Sequence, residues 1–257
     1  LTDLSIENPD RKGVELELQR RDPKILGITT TTSTYKNALN VAAIAKELNP
    51  NVVTILGGPH VTFTEEETLR KQQVDIVVRH EGELTMLELC QKLLREDQAL
   101  KQVAGISSRK DHVVARNPDR PLIENLDELP FPARHLMRLD KYLSPGTIIT
   151  SRGCPSKCIF CAAEAMSGGK YRVRSPANVV AEIEKVASDF SPKFFFIADD
   201  TFTVFRDRTR EICKLLRNLA KRVEWVCESR ANFIDKPILQ EMAEAGCTAI
   251  QFGVESG

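Results

Sequence analysis

Three cysteines at C-x3-C-x2-C spacing, in Ser151-Arg-Gly-Cys154-Pro-Ser-Lys-Cys158-Ile-Phe-Cys161, constrain this chain more than any other feature. They follow directly on a short apolar run, Thr147-Ile-Ile-Thr150. Three thiolates in one tight loop can ligate a single soft metal centre, because the turn brings the sulfurs inward. Three is one ligand fewer than a closed zinc site uses. The missing fourth ligand is informative, since it leaves one metal atom open to chemistry. A plainer alternative treats the cysteines as small buried hydrophobes. Gly153 and Pro155, which shape the loop around Cys154, argue against it.

A chain of 257 residues has room for one large or two ordinary domains. Hydrophobic content of 42% with 28% charged residues fits a globular protein with a sizeable core. The 36 basic and 36 acidic residues balance, which favours neither a nucleic-acid partner nor a membrane surface. No apolar run approaches the ~18 residues of a membrane span, and no secretory signal pattern opens the chain. Seven cysteines, an odd number, do not read as a disulfide framework. A cytoplasmic location is the expectation. The chain begins at Leu1 rather than Met and stops at Gly257, just after what reads as a strand. A parallel sheet ending on a bare strand leaves it uncovered, so we expect a piece of a longer protein.

Residues 1–105 alternate short β-branched runs with amphipathic segments. Leu4-Ser-Ile6 reads as the close of a strand, and 25–29, 52–56 and 75–78 as further strands. Helices are expected over 14–21, 35–48, 65–71 and 83–95. This alternation predicts a doubly wound parallel sheet, an α/β fold of Rossmann-like type. In such sheets ligands bind beyond the carboxyl ends of the strands. Those ends carry Thr30 and Ser33, then Gly57-Gly58-Pro-His60-Val-Thr62, then Glu81-Gly82. Glycines and hydroxyls of this kind let a large polar cofactor approach closely, although plain turn chemistry explains any one loop equally well. No G-x-G-x-x-G is present, which argues against the usual dinucleotide fingerprint.

Asp3-Leu-Ser-Ile6, Ile25-Leu-Gly-Ile-Thr29 and Ile55-Leu-Gly-Gly58 resemble the later part of a cobalamin-binding domain. The resemblance implies cobalamin as a cofactor, with Thr30, Ser33, Gly57, Gly58, His60, Thr62, Glu81 and Gly82 lining its corrin or nucleotide tail. The family's D-x-H-x-x-G motif would precede Leu1. His60 does not supply it, because Gly58 rather than Asp stands two residues before.

Residues 108–117 read as a β-hairpin turning at Lys110-Asp111. Pro118, Pro121, Pro130, Pro132 and Pro145 then make residues 117–145 a poor helix or central strand. We place a connection there, between a domain over 1–116 and another over 146–257. The second domain alternates strands at 147–150, 194–198, 223–227 and 249–253 with helices at 176–189, 206–222 and 236–245. Four βα repeats predict a TIM-type barrel or part of one, with its site at the carboxyl ends of the strands.

That rule gathers Cys154, Cys158 and Cys161 with Asp199-Asp200, Arg230, Glu255 and Ser256. An open iron can bind an amino acid through its amine and carboxylate. Asp199 or Asp200 can accept from an ammonium, Arg230 can face a carboxylate, and Phe160 can lie against an aromatic base. The alternative for Asp199-Asp200 is a helix N-cap pair before Thr201, and for Arg230 and Glu255 structural ion pairing. Cys90, Cys213, Cys227 and Cys247 read as packing residues, with Cys227 and Cys247 alternatively facing the barrel interior.

The cysteine loop, with Phe160 before the last cysteine, is similar to the radical S-adenosylmethionine signature. Tyr171-Arg-Val-Arg-Ser-Pro176, Asp199-Asp-Thr-Phe202 and Ile250-Gln-Phe-Gly-Val-Glu-Ser-Gly257 resemble its cobalamin-dependent branch. The resemblance implies a [4Fe–4S] cluster on Cys154, Cys158 and Cys161 whose fourth iron chelates S-adenosylmethionine (AdoMet). Phe160, Asp199, Asp200, Arg230, Glu255 and Ser256 would contact AdoMet. One electron, delivered by a donor such as flavodoxin or ferredoxin, would cleave AdoMet and generate a radical that attacks a small-molecule substrate. Methyl transfer to an unactivated carbon is the expected reaction, with oxidative cyclisation or rearrangement as the alternative. The family barrel has six βα units, of which four are visible.

Two other readings stay open. A methylthiotransferase relative without cobalamin would need three more cysteines in its first domain, where only Cys90 stands. A structural zinc module would need a fourth ligand near the loop, and no His or Cys lies between Cys161 and Cys213.

Overall fold

In the computed structural model, described here for residues 1–7, 9–95, 100–110, 113–142 and 145–255, the chain forms two compact units. One is Glu7–Ile123; the other joins Leu1–Ile6 to Glu124–Gly257. The expected connection is thus divided, residues 117–123 belonging to the first unit and 124–145 to the second.

The chain opens with α1 (Leu4–Glu7) and α2 (Arg11–Arg21). The expected strand at Leu4-Ser-Ile6 is therefore a helical turn, a correction with a simple cause. Leu and Glu favour helix, and Ile6 alone in that stretch is β-branched. Then follow β1 (Ile25–Thr29), α3 (Tyr35–Leu48), β2 (Val53–Gly57), α4 (Pro59–Phe63) and α5 (Glu65–Leu69). Pro59 starts α4 because its fixed φ suits a first helical position. The unit continues with β3 (Ile76–Val78), α6 (Glu83–Leu94), β4 (Ile106–Lys110) and β5 (Val113–Arg116).

These strands make one sheet in the order β1-β2-β3-β4-β5. The first three are parallel, and β4 and β5 add an antiparallel hairpin whose turn residues Asp111 and His112 lie outside the described residues. Side chains alternate across the sheet, so both faces acquire a core. Leu56 and Val77 pack on one face with Ala42, Val61 and Leu69, and Ile55, Ile76 and Val78 on the other with Leu89. Arg79, after β3, is fully enclosed. It pairs with Glu65 at 3.2 Å and Asp119 at 2.8 Å, and donates to Ser107 and, at 2.7 Å, to the Asn117 carbonyl. A guanidinium so enclosed is tolerable only because its donors find partners.

The second unit holds β6 (Gly146–Ile148), β7 (Ser151–Arg152), α7 (Ala163–Ser167) and β8 (Arg172–Val173). After them come α8 (Pro176–Phe190), β9 (Phe195–Ile197), α9 (Arg206–Arg217), β10 (Trp225–Ser229), α10 (Lys236–Glu244) and β11 (Cys247–Phe252). The main sheet is parallel in the order β11-β10-β9-β6, and β7 and β8 form a separate antiparallel ribbon. Ile148, Ile197, Cys227 and Ile250 form one row across all four strands. This row packs beneath α8, α9 and α10 with Trp225, whose indole donates to the Ala245 carbonyl at 3.0 Å.

That row decides between the two readings of Cys227 and Cys247 in favour of packing. Cys227 shares the face of Trp225 by strand alternation, so it faces the helices beside Cys213 rather than the barrel interior, and Cys247 packs against the same core. Among the described residues, no helix is long and apolar enough to cross a membrane.

Segment 124–145 is fastened to its own unit by polar contacts. Asp127 accepts from the Ser175 amide at 2.9 Å, and Arg134 pairs with buried Glu182 at 2.6 Å. Arg174 completes the Glu182 pairing and lies 5.5 Å over the Phe131 ring.

Candidate functional site

The cysteine loop grows out of the carboxyl end of β6. Thr150 and Ser151 are buried there, and Ser151-Arg152 pairs with Arg172-Val173. Gly153 then turns the chain with φ +85°. A Cβ there would lie 2.2 Å from the Lys170 carbonyl oxygen, so only glycine fits. Cys154 is buried, its sulfur 3.6 Å from the Thr201 hydroxyl. Cys158 is half-buried and accepts from Arg230 Nη1 at 3.0 Å. Cys161 is exposed; its amide donates to the Cys158 carbonyl at 3.0 Å, and its sulfur accepts from the Ala163 amide at 3.5 Å.

The three thiols share one loop without converging. Among the described residues no three His, Cys, Asp or Glu side chains are grouped to hold a metal ion. The donor set nonetheless suits an iron–sulfur cluster. All three donors are sulfur, and N–H groups already reach two of them, as cluster-ligating thiolates require. Ile159 and Phe160, between the last two cysteines, are largely exposed, Phe160 at 67%.

The acidic pair at the end of β9 splits. Asp199 is buried, and its oxygens accept from the Thr150 amide at 2.6 Å, the Ser151 amide at 3.0 Å, the Ser151 hydroxyl at 2.7 Å and the Thr150 hydroxyl. Burial raises its carboxyl above the usual range against the pull of those donors. Asp200 is exposed, and its carboxyl is also raised, by partial desolvation and then by the charge of Asp199. Arg230 is held more firmly protonated by its contact with Cys158. Glu255 follows β11 in a left-handed conformation, φ +61°, and Ser256 lies outside the described residues.

Sequence reasoning assigned no role to several neighbours of this site. The Tyr171 hydroxyl donates to the Thr201 carbonyl at 3.0 Å, its ring meets Phe205 edge-on at 5.2 Å, and burial pushes its phenol up to about 12. Arg208 donates to the carbonyls of Arg174 at 2.9 Å and Thr150 at 2.8 Å. The signal for Tyr171 lay in the phrase Tyr171–Pro176; Arg208 had none, being one of several arginines on α9.

In the first unit, the ends of β1, β2 and β3 fall on one edge of the sheet. The Thr30 amide and hydroxyl both donate to the Gly57 carbonyl, at 2.8 and 3.2 Å. Gly58 takes φ +101°, and a Cβ there would lie 2.4 Å from the Thr30 carbonyl oxygen. His60 Nδ1 is 3.1 Å from the Thr32 hydroxyl, and its ring lies 4.2 Å from that of Tyr35. The Thr62 hydroxyl donates to the Gly58 carbonyl at 3.0 Å and accepts from the His80 amide at 3.0 Å. Ser33 is bonded to Thr31 at 2.9 Å.

Thr30, Gly57, Gly58, His60 and Thr62 are thus one bonded group. Glu81 turns away to accept from the Ile123 amide at 2.8 Å. Gly82 is not compelled by space, since a Cβ there meets nothing closer than 3.7 Å. The edge offers hydroxyls, glycine backbone and one imidazole, a chemistry that suits a large ring rimmed with amides.

A Rossmann-like α/β unit, followed in sequence by part of a parallel βα barrel with a three-cysteine loop after its first strand, defines the class. Residues 1–90 match the B12 binding domain family, and residues 148–257 match the Radical SAM superfamily. The chain belongs to the cobalamin-dependent radical SAM enzyme family, in which these two domains are joined.

An uncharacterized methyltransferase of Pyrococcus horikoshii is 39% identical over 244 residues, which cover 93% of this chain and 53% of that protein. The anaerobic magnesium-protoporphyrin IX monomethyl ester cyclase of Rubrivivax gelatinosus is 32% identical over 248 residues, covering 91% and 44%. Among solved structures, the radical S-adenosylmethionine methyltransferase TsrM from Kitasatospora setae, with tryptophan substrate and a SAM analog bound, shares the fold. Its TM-score is 0.83 at 17% identity, over 98% of this chain and 52% of that one. The chain spans about half the length of the curated relatives it matches.

Proposed function

We propose that this chain is the cofactor-binding portion of an enzyme that cleaves AdoMet reductively and transfers a methyl group to an unactivated carbon of a small molecule. The observation that carries the reading is the loop Cys154–Cys161, all-sulfur in its donors and fed by the guanidinium of Arg230. When bound, the cluster supplies an electron and an open iron for AdoMet, and cobalamin supplies a methyl carrier. Cys154, Cys158 and Cys161 hold the cluster. Asp200, exposed after β9, is suited to an ammonium, Phe160 to a flat base, and Glu255 and Ser256 to ribose hydroxyls. Thr30, Ser33, Gly57, Gly58, His60 and Thr62 hold cobalamin, with Glu81 and Gly82 at the rim. A soluble one-electron donor completes the scheme.

The relative named as a methyltransferase supports methyl transfer, and the relative named as a cyclase supports oxidative cyclisation as the second reading. Anaerobic reconstitution with iron and sulfide tests the site. We expect a visible cluster absorbance that is lost in the Cys154/Cys158/Cys161→Ala triple variant; a variant that keeps full iron and sulfide overturns the reading. With the electron donor and cobalamin added, S-adenosylhomocysteine marks a donated methyl group. 5′-Deoxyadenosine alone points to the cyclisation reading.

A further inference from the structure

Among the described residues, the carboxylate of Asp199 has four donors, and all four come from Thr150 and Ser151. Those two residues are the root of the cysteine loop. On the carbonyl side, Thr150 O accepts from the Arg174 amide at 2.9 Å and from Arg208 Nη2 at 2.8 Å. The root is therefore held from both sides: amides and hydroxyls by one buried carboxylate, and the Thr150 carbonyl by a guanidinium and an amide. Two residues beyond Asp199, Thr201 places its hydroxyl 3.6 Å from the Cys154 sulfur. One short segment after β9 thus meets both the start of the loop and its first thiol.

We propose that Asp199 is a positioning residue for the cysteine loop: it sets the root from which Cys154, Cys158 and Cys161 are presented to a cluster, and it does not contact AdoMet. The inference rests on the reading that the loop holds a cluster. A carboxylate with both oxygens engaged inside the protein has little left for an external ammonium. Asparagine in its place can keep the arrangement, since its amide oxygen accepts from the two backbone amides and its NH2 donates to the two hydroxyls, which turn to accept. Alanine cannot, and removes the acceptor of two buried amides and two hydroxyls.

The test uses the reconstituted chain, read by iron and sulfide content, by resistance of the cluster to a chelator, and by the EPR spectrum of the reduced cluster with and without AdoMet. Loss of outer contacts to ligating groups typically weakens metal binding by roughly 10–100-fold, and we expect a loss of that order for Asp199→Ala. Asp199→Asn should restore full loading and the AdoMet-dependent change in the EPR signal. Asp200→Asn should load as wild type does. If Asp199→Ala is misfolded by far-UV circular dichroism, the double variant Thr150→Val/Ser151→Ala decides. It removes the two hydroxyl donors to Asp199 and keeps the two amide donors, so lowered cluster retention in a folded chain supports the proposal and wild-type retention overturns it.

Two further results overturn the proposal: full loading with an unaltered EPR spectrum in folded Asp199→Ala, or an Asp199→Asn chain that loads fully but no longer responds to AdoMet. A wild-type chain that takes up no cluster overturns the proposed function, and this inference with it. A loaded wild type with an equally loaded Asp199→Ala overturns the inference alone.

Discussion

Arg230 Nη1 donates to the sulfur of Cys158 at 3.0 Å, a contact made across 72 residues of sequence by the end of β10 reaching the loop after β6. Hydrogen bonds and positive charge near ligating sulfur stabilise the more negative, reduced state of a cluster, and so raise its reduction potential. Arg230→Gln removes the charge and should move the midpoint potential to a more negative value, while Arg230→Lys keeps the charge and should move it less. EPR-monitored potentiometry of the reconstituted chain measures both. Equal potentials in wild type and Arg230→Gln would show that the guanidinium is not near the cluster.

Gly58 sits where the loop after β2 meets the loop after β1, with φ +101°. A methyl group there meets Thr30 twice, 2.4 Å from its carbonyl oxygen and 2.9 Å from its amide nitrogen. Backbone cannot swing aside as a flexible side chain does. Gly58→Ala should therefore cost about 1–3 kcal/mol in urea unfolding, and should lose cobalamin uptake through the displaced Thr30 and His60. Gly82→Ala is the control. It meets only ordinary contacts and takes a negative φ, so it should change stability by roughly 0.5 kcal/mol or less.

The parts of this molecule legible in its sequence are those set by local periodicity. Residues 25–29 and 35–48 were expected as strand and helix, and β1 and α3 have those same bounds, because a short run with three β-branched residues (Ile25, Ile28 and Thr29) and an alanine-rich amphipathic run each carry their own signal. The cysteine loop, which lies within the Radical SAM match, was legible for the same reason: the C-x3-C-x2-C spacing is local. The enclosure of Asp199 was not legible. Its partners lie 48 and 49 residues away, and a carboxylate beside another carboxylate looks alike whether it faces inward or outward. Only the alignment of β6 beside β9 shows which of the two is enclosed. Cys227 was legible as a packing residue, but not the face it takes, since that depends on Trp225 packing under α10 and not on its own neighbours. Leu4–Glu7 failed because a single turn carries too few residues for any period to be read.

Tyr171 supplies a pH test of the loop's surroundings. Its phenol is pushed up to about 12, chiefly by burial, while its hydroxyl donates to the Thr201 carbonyl at 3.0 Å. An unfolded tyrosine titrates near ~10. Because the folded value is the higher one, the stabilisation from keeping the phenol neutral is fully present below pH ~10. It is lost as pH rises toward 12, where the unfolded chain releases its proton first. The loss attributable to this group approaches about 2 kcal/mol at the top of that window. Tyr171→Phe lacks the hydrogen bond, so it should be about 1 kcal/mol less stable than wild type near pH 8. It also lacks the titration, so the difference should shrink above pH ~10 and reverse before pH ~12. Urea unfolding of both proteins at a series of alkaline pH values measures the difference directly, other titrations cancelling between them. A difference that stays constant from pH 8 to pH 12 would mean that the phenol of Tyr171 is open to water.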